Sequence, residues 1–278
     1  MADERIRGER WLLMQDGPRD GFTNMAVDVA MVQTLLQPAL RLYTWEPWAV
    51  SLGYHQSLTD LDFERLRADG IDVVRRPTGG RAVLHAEELT YCVTLPASHP
   101  WNGESIERVY RWISEALAAG LRTLGLPVTA APRPQQEQNY AHHAACFAQS
   151  VRFEIDLFGK KLVGSAQRRY PQGVLQHGSI LIGPAHAKLS QYFRAPKRHA
   201  EAGSEPLTAI SLREALPEPV SANDVARAVI AGFEQTFGIV FQPFRPDNQW
   251  HATVAELREQ FAREMLGDRT ARLAETAG

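Results

Sequence analysis

Arg75-Arg76-Pro77-Thr78-Gly79-Gly80-Arg81-Ala82-Val83-Leu84-His85 places three arginines, a diglycine and a histidine within one short stretch. A Gly-Gly turn can adopt φ > 0 and admits a ligand close to its backbone. Its amides can hydrogen-bond a phosphate, a carboxylate or a developing oxyanion. A tight turn decorated with surface arginines has the same composition, so the stretch alone leaves the anion unidentified.

The second chemical candidate is Cys146, in Ala145-Cys146-Phe147. A thiol becomes a nucleophile when a nearby cation or base favours the thiolate. His142, His143, Lys160, Lys161, Arg168 and Arg169 are its neighbours in sequence. Free cysteine is more often a small buried hydrophobe, and that role suits Cys92 within Leu89-Thr90-Tyr91-Cys92-Val93. His142, His143 and Cys146 form only a local group, with no CxxC or HxxxH to complete a zinc site. Lys161 precedes the small triplet Gly164-Ser165-Ala166, which leaves room for something large against the backbone. Strict strand alternation sets Lys161 on the face of Val163 and Ser165, opposite Lys160. His85 and His177 each sit in a strand beside Arg81 and Ser179, as a base, an orienter or a satisfied core histidine.

These groups need a scaffold. Hydrophobic content of 44% and charged content of 22% over 278 residues fit a globular chain of one large domain or one and a half. A net charge of −2 gives no general attraction to nucleic acid or to an anionic membrane. The start Met1-Ala2-Asp3-Glu4-Arg5 lacks an apolar signal region, and no apolar run is long enough to span a bilayer. Two cysteines without a secretion signal suit reduced thiols in a cytoplasm.

Apolar spacing predicts a helix over 25–36, capped by Thr23 or Asn24, and a longer one over 105–124 with Ile106, Val109, Ile113, Leu117 and Leu121 inward. Strands are expected at 11–14, 40–45, 48–52, 71–75, 89–95, 151–157, 161–166, 174–182 and 239–241, the second and third as a hairpin about Glu46-Pro47. Helices over 61–68, 223–237 and 253–265 complete the pattern, and 132–144 reads as a surface loop. The sum is α+β, with mixed, largely antiparallel sheets and packed helices.

Four separated motifs resemble the biotin/lipoate protein ligase superfamily: residues 75–85, Glu88-Leu89-Thr90-Tyr91, Lys161-Leu162-Val163-Gly164-Ser165-Ala166-Gln167, and Leu175-Gln176-His177-Gly178. The resemblance covers about residues 10–245 and implies a catalytic domain there, with 246–278 as its helical extension. Two features look like the cysteine-dependent octanoyltransferase that acts on the glycine cleavage system H protein. Cys146 stands fifteen residues before Lys161, and Arg81 follows the diglycine where the ATP-using ligases usually carry a third glycine. One departure is Ala86 after His85, where the superfamily commonly has an acidic residue.

The resemblance implies catalysis by Cys146, which would carry octanoyl as a thioester, with Lys161 lowering its pKa. It implies substrate contacts from Arg76, Gly79, Gly80, Arg81, His85, Gly164, Ser165, Ala166 and His177. Octanoyl-acyl carrier protein would be the donor and the H protein or another lipoyl domain the acceptor, with no cofactor, metal, nucleic acid or membrane. An ATP-dependent lipoate ligase, an amidotransferase between lipoyl domains, and a non-catalytic binder of carrier domains are the rival readings.

Overall fold

The structure, a computed structural model, describes residues 3–132, 153–194 and 209–276. Its strands are β1 (Arg10–Gln15), β2 (Ala39–Tyr43), β3 (Ala49–Leu52), β4 (Asp72–Arg75), β5 (Val83–His85), β6 (Glu88–Pro96), β7 (Thr129–Pro132), β8 (Phe153–Leu157), β9 (Lys160–Tyr170), β10 (Gly173–Leu181) and β11 (Val240–Pro243). The helices are α1 (Gly21–Thr34), α2 (Phe63–Ala68), α3 (Ile106–Arg122), α4 (Leu212–Ala215), α5 (Ala222–Phe237) and α6 (Asn248–Thr276).

Eight strands form one sheet in the order β11-β1-β2-β6-β10-β9-β8-β7, and β4-β3-β5 form a smaller one. β11, β1 and β2 run parallel, and antiparallel pairing carries the large sheet from β2 to β7. The mixed α+β expectation therefore holds. The hairpin over 40–52 does not form. β2 pairs with β1 and β6, whereas β3 pairs with β4 and β5, so the Glu46-Pro47 connection passes from one sheet to the other. Both strands are buried at every position, so neither carries the alternation that would identify its partner.

α3 and α5 cover one face of the large sheet. Val109, Ile113, Leu117 and Leu121 of α3 meet Val225, Val229 and Phe233 of α5 and Leu89, Tyr91, Val93 and Leu95 of β6. Ile106 stays 47% exposed, outside the inward stripe expected of it. α1 covers the other face, where Met25 and Val32 join Cys92, Leu175 and, from the small sheet, Ala49 and Val74. Asp20, rather than Thr23 or Asn24, caps α1, accepting from the Thr23 amide at 3.0 Å. α6 lies across α1 through Trp250, Leu257 and Phe261 and is longer at both ends than the apolar spacing over 253–265 indicated. Among the described residues, no helix is long and apolar enough to cross a membrane.

Candidate functional site

The diglycine loop connects β4 to β5, and those strands flank β3 on either side. It is held by its carbonyls. Arg168 Nη1 donates to Pro77 O at 2.8 Å, and the Tyr54 amide donates to Thr78 O at 2.8 Å. Arg76 curls back over its own loop, with Nη2 donating to Gly79 O at 2.9 Å and to Arg81 O at 2.7 Å. Gly80 O packs so tightly on Gly53 that a Cβ at position 53 would lie 1.9 Å from it. Gly80 itself has φ +99, which side-chain-bearing residues rarely adopt. Gly79, Gly80 and Arg81 are exposed, and nothing lies within 4 Å of where a Cβ on Gly79 would project.

Two buried histidines stand beneath this loop. His177 on β10 places Nδ1 2.9 Å from Asp28 Oδ2 and Nε2 2.8 Å from Thr78 Oγ1. Asp28, fully buried on α1, also receives Arg41 Nη1 at 2.8 Å and Tyr43 OH at 2.9 Å. Burial alone raises the Asp28 carboxyl, but the His177 hydrogen bond and the Arg41 charge outweigh it and hold the pKa below the usual carboxylate value. Burial lowers the His177 pKa against the pull of Asp28, so the ring is neutral near pH 7. A carboxylate can only accept, which fixes the tautomer. Nδ1–H donates to Asp28, and Nε2 accepts from the Thr78 hydroxyl.

His85 on β5 repeats the arrangement. Nδ1 meets Glu88 Oε1 at 2.7 Å and Nε2 meets Ser51 Oγ at 2.7 Å. Ser51 in turn accepts from Arg76 Nη1, through its carbonyl at 3.0 Å and its hydroxyl at 3.1 Å. Glu88 supplies the acidic partner that Ala86 does not, and it also accepts from Thr90 and Ser179. The His85 ring stacks on Trp45 with centroids 4.0 Å apart. Burial brings the Arg76 pKa down to about 10, which leaves it a cation at neutral pH. Both histidines therefore have each ring nitrogen engaged by protein and act as supports of the loop.

Lys161 does not share a face with Val163 and Ser165. β9 carries a bulge: Ile155 opposes Val163 while the next residue, Asp156, opposes Lys161. Leu162 is the extra residue, and both it and Val163 enter the core. Lys161 thus turns to the side of Gly164, where a Cβ would meet Lys161 Cε at 3.1 Å and Nζ at 3.5 Å. Gly164, Ala166 and Arg168 continue this face, with Ala166 directly opposite His177. Ser165 lies on the other face, accepting from Tyr91 OH at 2.7 Å. The structure thus gathers Arg76, Gly79, Gly80, Arg81, His85, His177, Lys161, Gly164 and Ala166 on the loop side of the sheet.

Cys146, with His142, His143 and the 132–144 loop beyond Pro132, lies outside the described residues. Cys92 is buried beside Asp28, and burial first, then the carboxylate, push its thiol well above the ordinary value. It is a structural cysteine, as its strand suggested. Among the described residues no group of three or more His, Cys, Asp or Glu side chains could hold a metal. A cleft of about 190 Å³ opens beside the loop, bounded by Arg75, Pro77, Tyr54, Arg168, Tyr170 and Phe261. Asp28 and Thr78 were not singled out from the sequence. The available signal was an acidic residue inside the otherwise apolar run Met25-Ala26-Val27-Asp28-Val29-Ala30-Met31-Val32.

The chain is 40% identical over 272 residues to the octanoyltransferase LipM of Kyrpidia tusciae, covering 94% of this chain and 97% of that one. It is 33% identical over 267 residues to the octanoyltransferase LipM of Staphylococcus aureus, covering 91% and 96%. Among solved structures, a putative lipoate protein ligase from Thermoplasma acidophilum with bound lipoic acid superposes with a TM-score of 0.70 at 24% identity, covering 91% of this chain and 95% of the other. A lipoate-protein ligase A bound with ATP gives the same score and identity, covering 91% and 94%. These two share the fold. Residues 20–234 match the lipoyl protein ligase A/B catalytic domain, and with relatives this similar over nearly their whole length, the chain belongs to that family.

Proposed function

We propose that this chain is an octanoyltransferase of lipoate biosynthesis. It moves octanoyl from octanoyl-acyl carrier protein to a lysine of the glycine cleavage system H protein, through a thioester on Cys146. The observation that carries the reading is the near-complete match to octanoyltransferases at 40% identity. Two features of the chain support it. Lys161 lies beside the unfilled Cβ position of Gly164, on the sheet face beneath the diglycine loop. Arg81 stands directly after Gly80, where a third glycine would have kept the loop small.

In this mechanism the Cys146 thiolate, favoured by the Lys161 ammonium, attacks the thioester carbonyl of the donor. The carbonyl oxygen becomes an oxyanion facing the amides of Gly79 and Gly80. The tetrahedral intermediate collapses, the carrier thiolate leaves and takes a proton, and octanoyl remains on Cys146. The ε-amine of the acceptor lysine then attacks this thioester. The Cys146 thiolate departs, the amine's extra proton is lost, and an amide forms. Thioester exchange is near balanced, and the amide makes the whole downhill without ATP. At about 0.8 kcal/mol per buried CH₂, an octanoyl chain in an apolar pocket contributes several kcal/mol, enough to select for length.

The test is incubation with octanoyl-acyl carrier protein and H protein in the absence of ATP. The expected result is octanoyl-H protein and, without acceptor, an octanoyl adduct located on Cys146 by mass spectrometry. Cys146→Ser is expected to lose at least about a thousandfold in turnover. Full activity of that variant, or absence of the adduct, rules out the thioester route. A strict ATP requirement would make the chain a ligase, and activity only with octanoyl-H protein as donor would make it an amidotransferase.

A further inference from the structure

The carbonyls of Pro77, Thr78, Gly79, Gly80 and Arg81 are all turned towards protein. Arg168 takes the first, the Tyr54 amide the second, Arg76 the third and fifth, and the fourth packs on Gly53. In a trans peptide the N–H points opposite to the C=O that shares its plane. The amides of Gly79, Gly80 and Arg81 are therefore directed away from Tyr54, Arg76 and Gly53. This placement of the carbonyls leaves the amides of the exposed residues Gly79, Gly80 and Arg81 open to an anion or an oxyanion.

Two side-chain relays enforce it. One runs from Asp28 through His177 to the Thr78 hydroxyl and fixes the loop at its entry. The other runs from Glu88 through His85 and Ser51 to Arg76, the residue that grips Gly79 O and Arg81 O. Each starts at a buried acidic residue on a rigid element, α1 for Asp28 and β6 for Glu88, and each ends on the loop. Thr78 is 1% exposed and Ser51 0%, so neither is placed to meet a substrate directly.

We infer that Asp28, Glu88, Thr78 and Ser51 are positioning residues for acyl transfer, holding the diglycine loop from two sides so that its amides face the developing oxyanion. This rests on the octanoyltransferase reading above. It implies that the loop is organised before substrate arrives and that its alignment acts on turnover more than on substrate affinity.

The decisive variant is Thr78→Val, which keeps the side-chain shape and removes the hydroxyl that His177 receives. Steady-state transfer from octanoyl-acyl carrier protein is measured together with the single-turnover rate of Cys146 octanoylation. The loss expected is about 10²-fold or more in kcat and in acylation rate, the scale of one lost oxyanion donor, with KM within about threefold of wild type. Thr78→Ser, which restores the hydroxyl, is expected to recover most of the rate. Circular dichroism and the unfolding midpoint report whether each variant is folded. Because Asp28→Asn also disturbs Arg41, Ser51→Ala provides the second arm, with the same kcat-selective loss expected through Arg76. Thr78→Val and Ser51→Ala both turning over within threefold of wild type would overturn the inference. So would a loss confined to KM, or one that Thr78→Ser does not relieve. A wild-type enzyme that turns over but never acylates Cys146 would instead remove the underlying mechanism and this inference with it.

Discussion

The two faces of the strands β6, β10 and β9 are made from alternate residues of the same backbone, and they are stabilised in opposite ways. Towards α3 and α5, Leu89, Val93, Leu95, Val174 and Ile180 form a mainly apolar core in which shape is the main requirement, with one short hydrogen-bonded chain from Gln176 through Tyr91 to Ser165. Towards α1 and the small sheet, Thr90, Cys92, His177 and Ser179 join Asp28, Arg41, Tyr43 and Glu88 in a buried network whose members are matched by charge and donor direction. Apolar packing tolerates interchange among groups of similar volume. A buried polar network does not, because each lost partner strands another. The polar face is the one beneath the diglycine loop.

The largest effect that separates the two faces is expected from shape-preserving substitutions. Asp28→Asn keeps the volume but removes the charge facing Arg41, which is 0% exposed, and the acceptor for His177 Nδ1–H. The cost expected is about 3 kcal/mol, the low end for a broken buried pair because Asp16 still contacts Arg41. Leu117→Met in the apolar core should cost less than about 1.5 kcal/mol. Urea unfolding of the two variants checks this, and equal costs would erase the distinction between the faces.

Next in size is Gly178→Ala, at the seam. A Cβ there would lie 2.4 Å from Gly164 O and 2.7 Å from the Tyr91 ring, so β9 or Tyr91 must shift. Overpacking of this kind costs about 1–3 kcal/mol. A variant as stable as wild type by chemical unfolding would show that the strands are less tightly registered than described.

The smallest effect is in pH. His177 has a folded pKa below 6.5, so as pH falls through 6.5 the unfolded chain takes up a proton that the native state refuses, and stability declines. Asp28, with a folded pKa below 3.8, contributes stability that is present above that value and is lost as pH falls further. Cys92 has a folded pKa above 9.0, so the unfolded chain releases its proton first as pH rises through 9.0, and stability declines again. The polar face thus brackets a plateau between these limits, each group contributing a slope of at most about 1.4 kcal/mol per pH unit. Cys92→Ala is expected to flatten the alkaline limb in unfolding measurements made from pH 8 to 10. An unchanged limb would assign it to other groups, such as Tyr43, whose pKa burial and Asp28 also raise.

Local pattern carried the elements well where they are amphipathic. α3 lies nearly where spacing set it, since one side is buried and the other polar, and β10 was found as an apolar run although it is buried on both faces. It failed for β2 and β3, whose full burial erases alternation and so hides that they belong to different sheets. The diglycine was legible as a loop of unusual backbone, because Gly80 takes φ +99, a conformation that glycine adopts readily and other residues rarely do. The partners of its histidines were less so. His85 finds Glu88 three residues on, but His177 finds Asp28 across 149 positions, and no local rule connects a lone acidic residue on an apolar helix with a histidine on a distant strand. Lys161 was assigned to the wrong face, because a bulge leaves no mark in composition.

That bulge has a further consequence. One extra residue at Leu162 resets the phase of everything after it in β9. Deleting Leu162 would bring Val163 directly after Lys161 and restore plain alternation, so Lys161 would stay on the side of Gly164, opposite Val163 and Ser165. A register in which Leu162 joined the ladder and the bulge was lost would instead turn Lys161 to the side of Val163 and Ser165, away from Gly164.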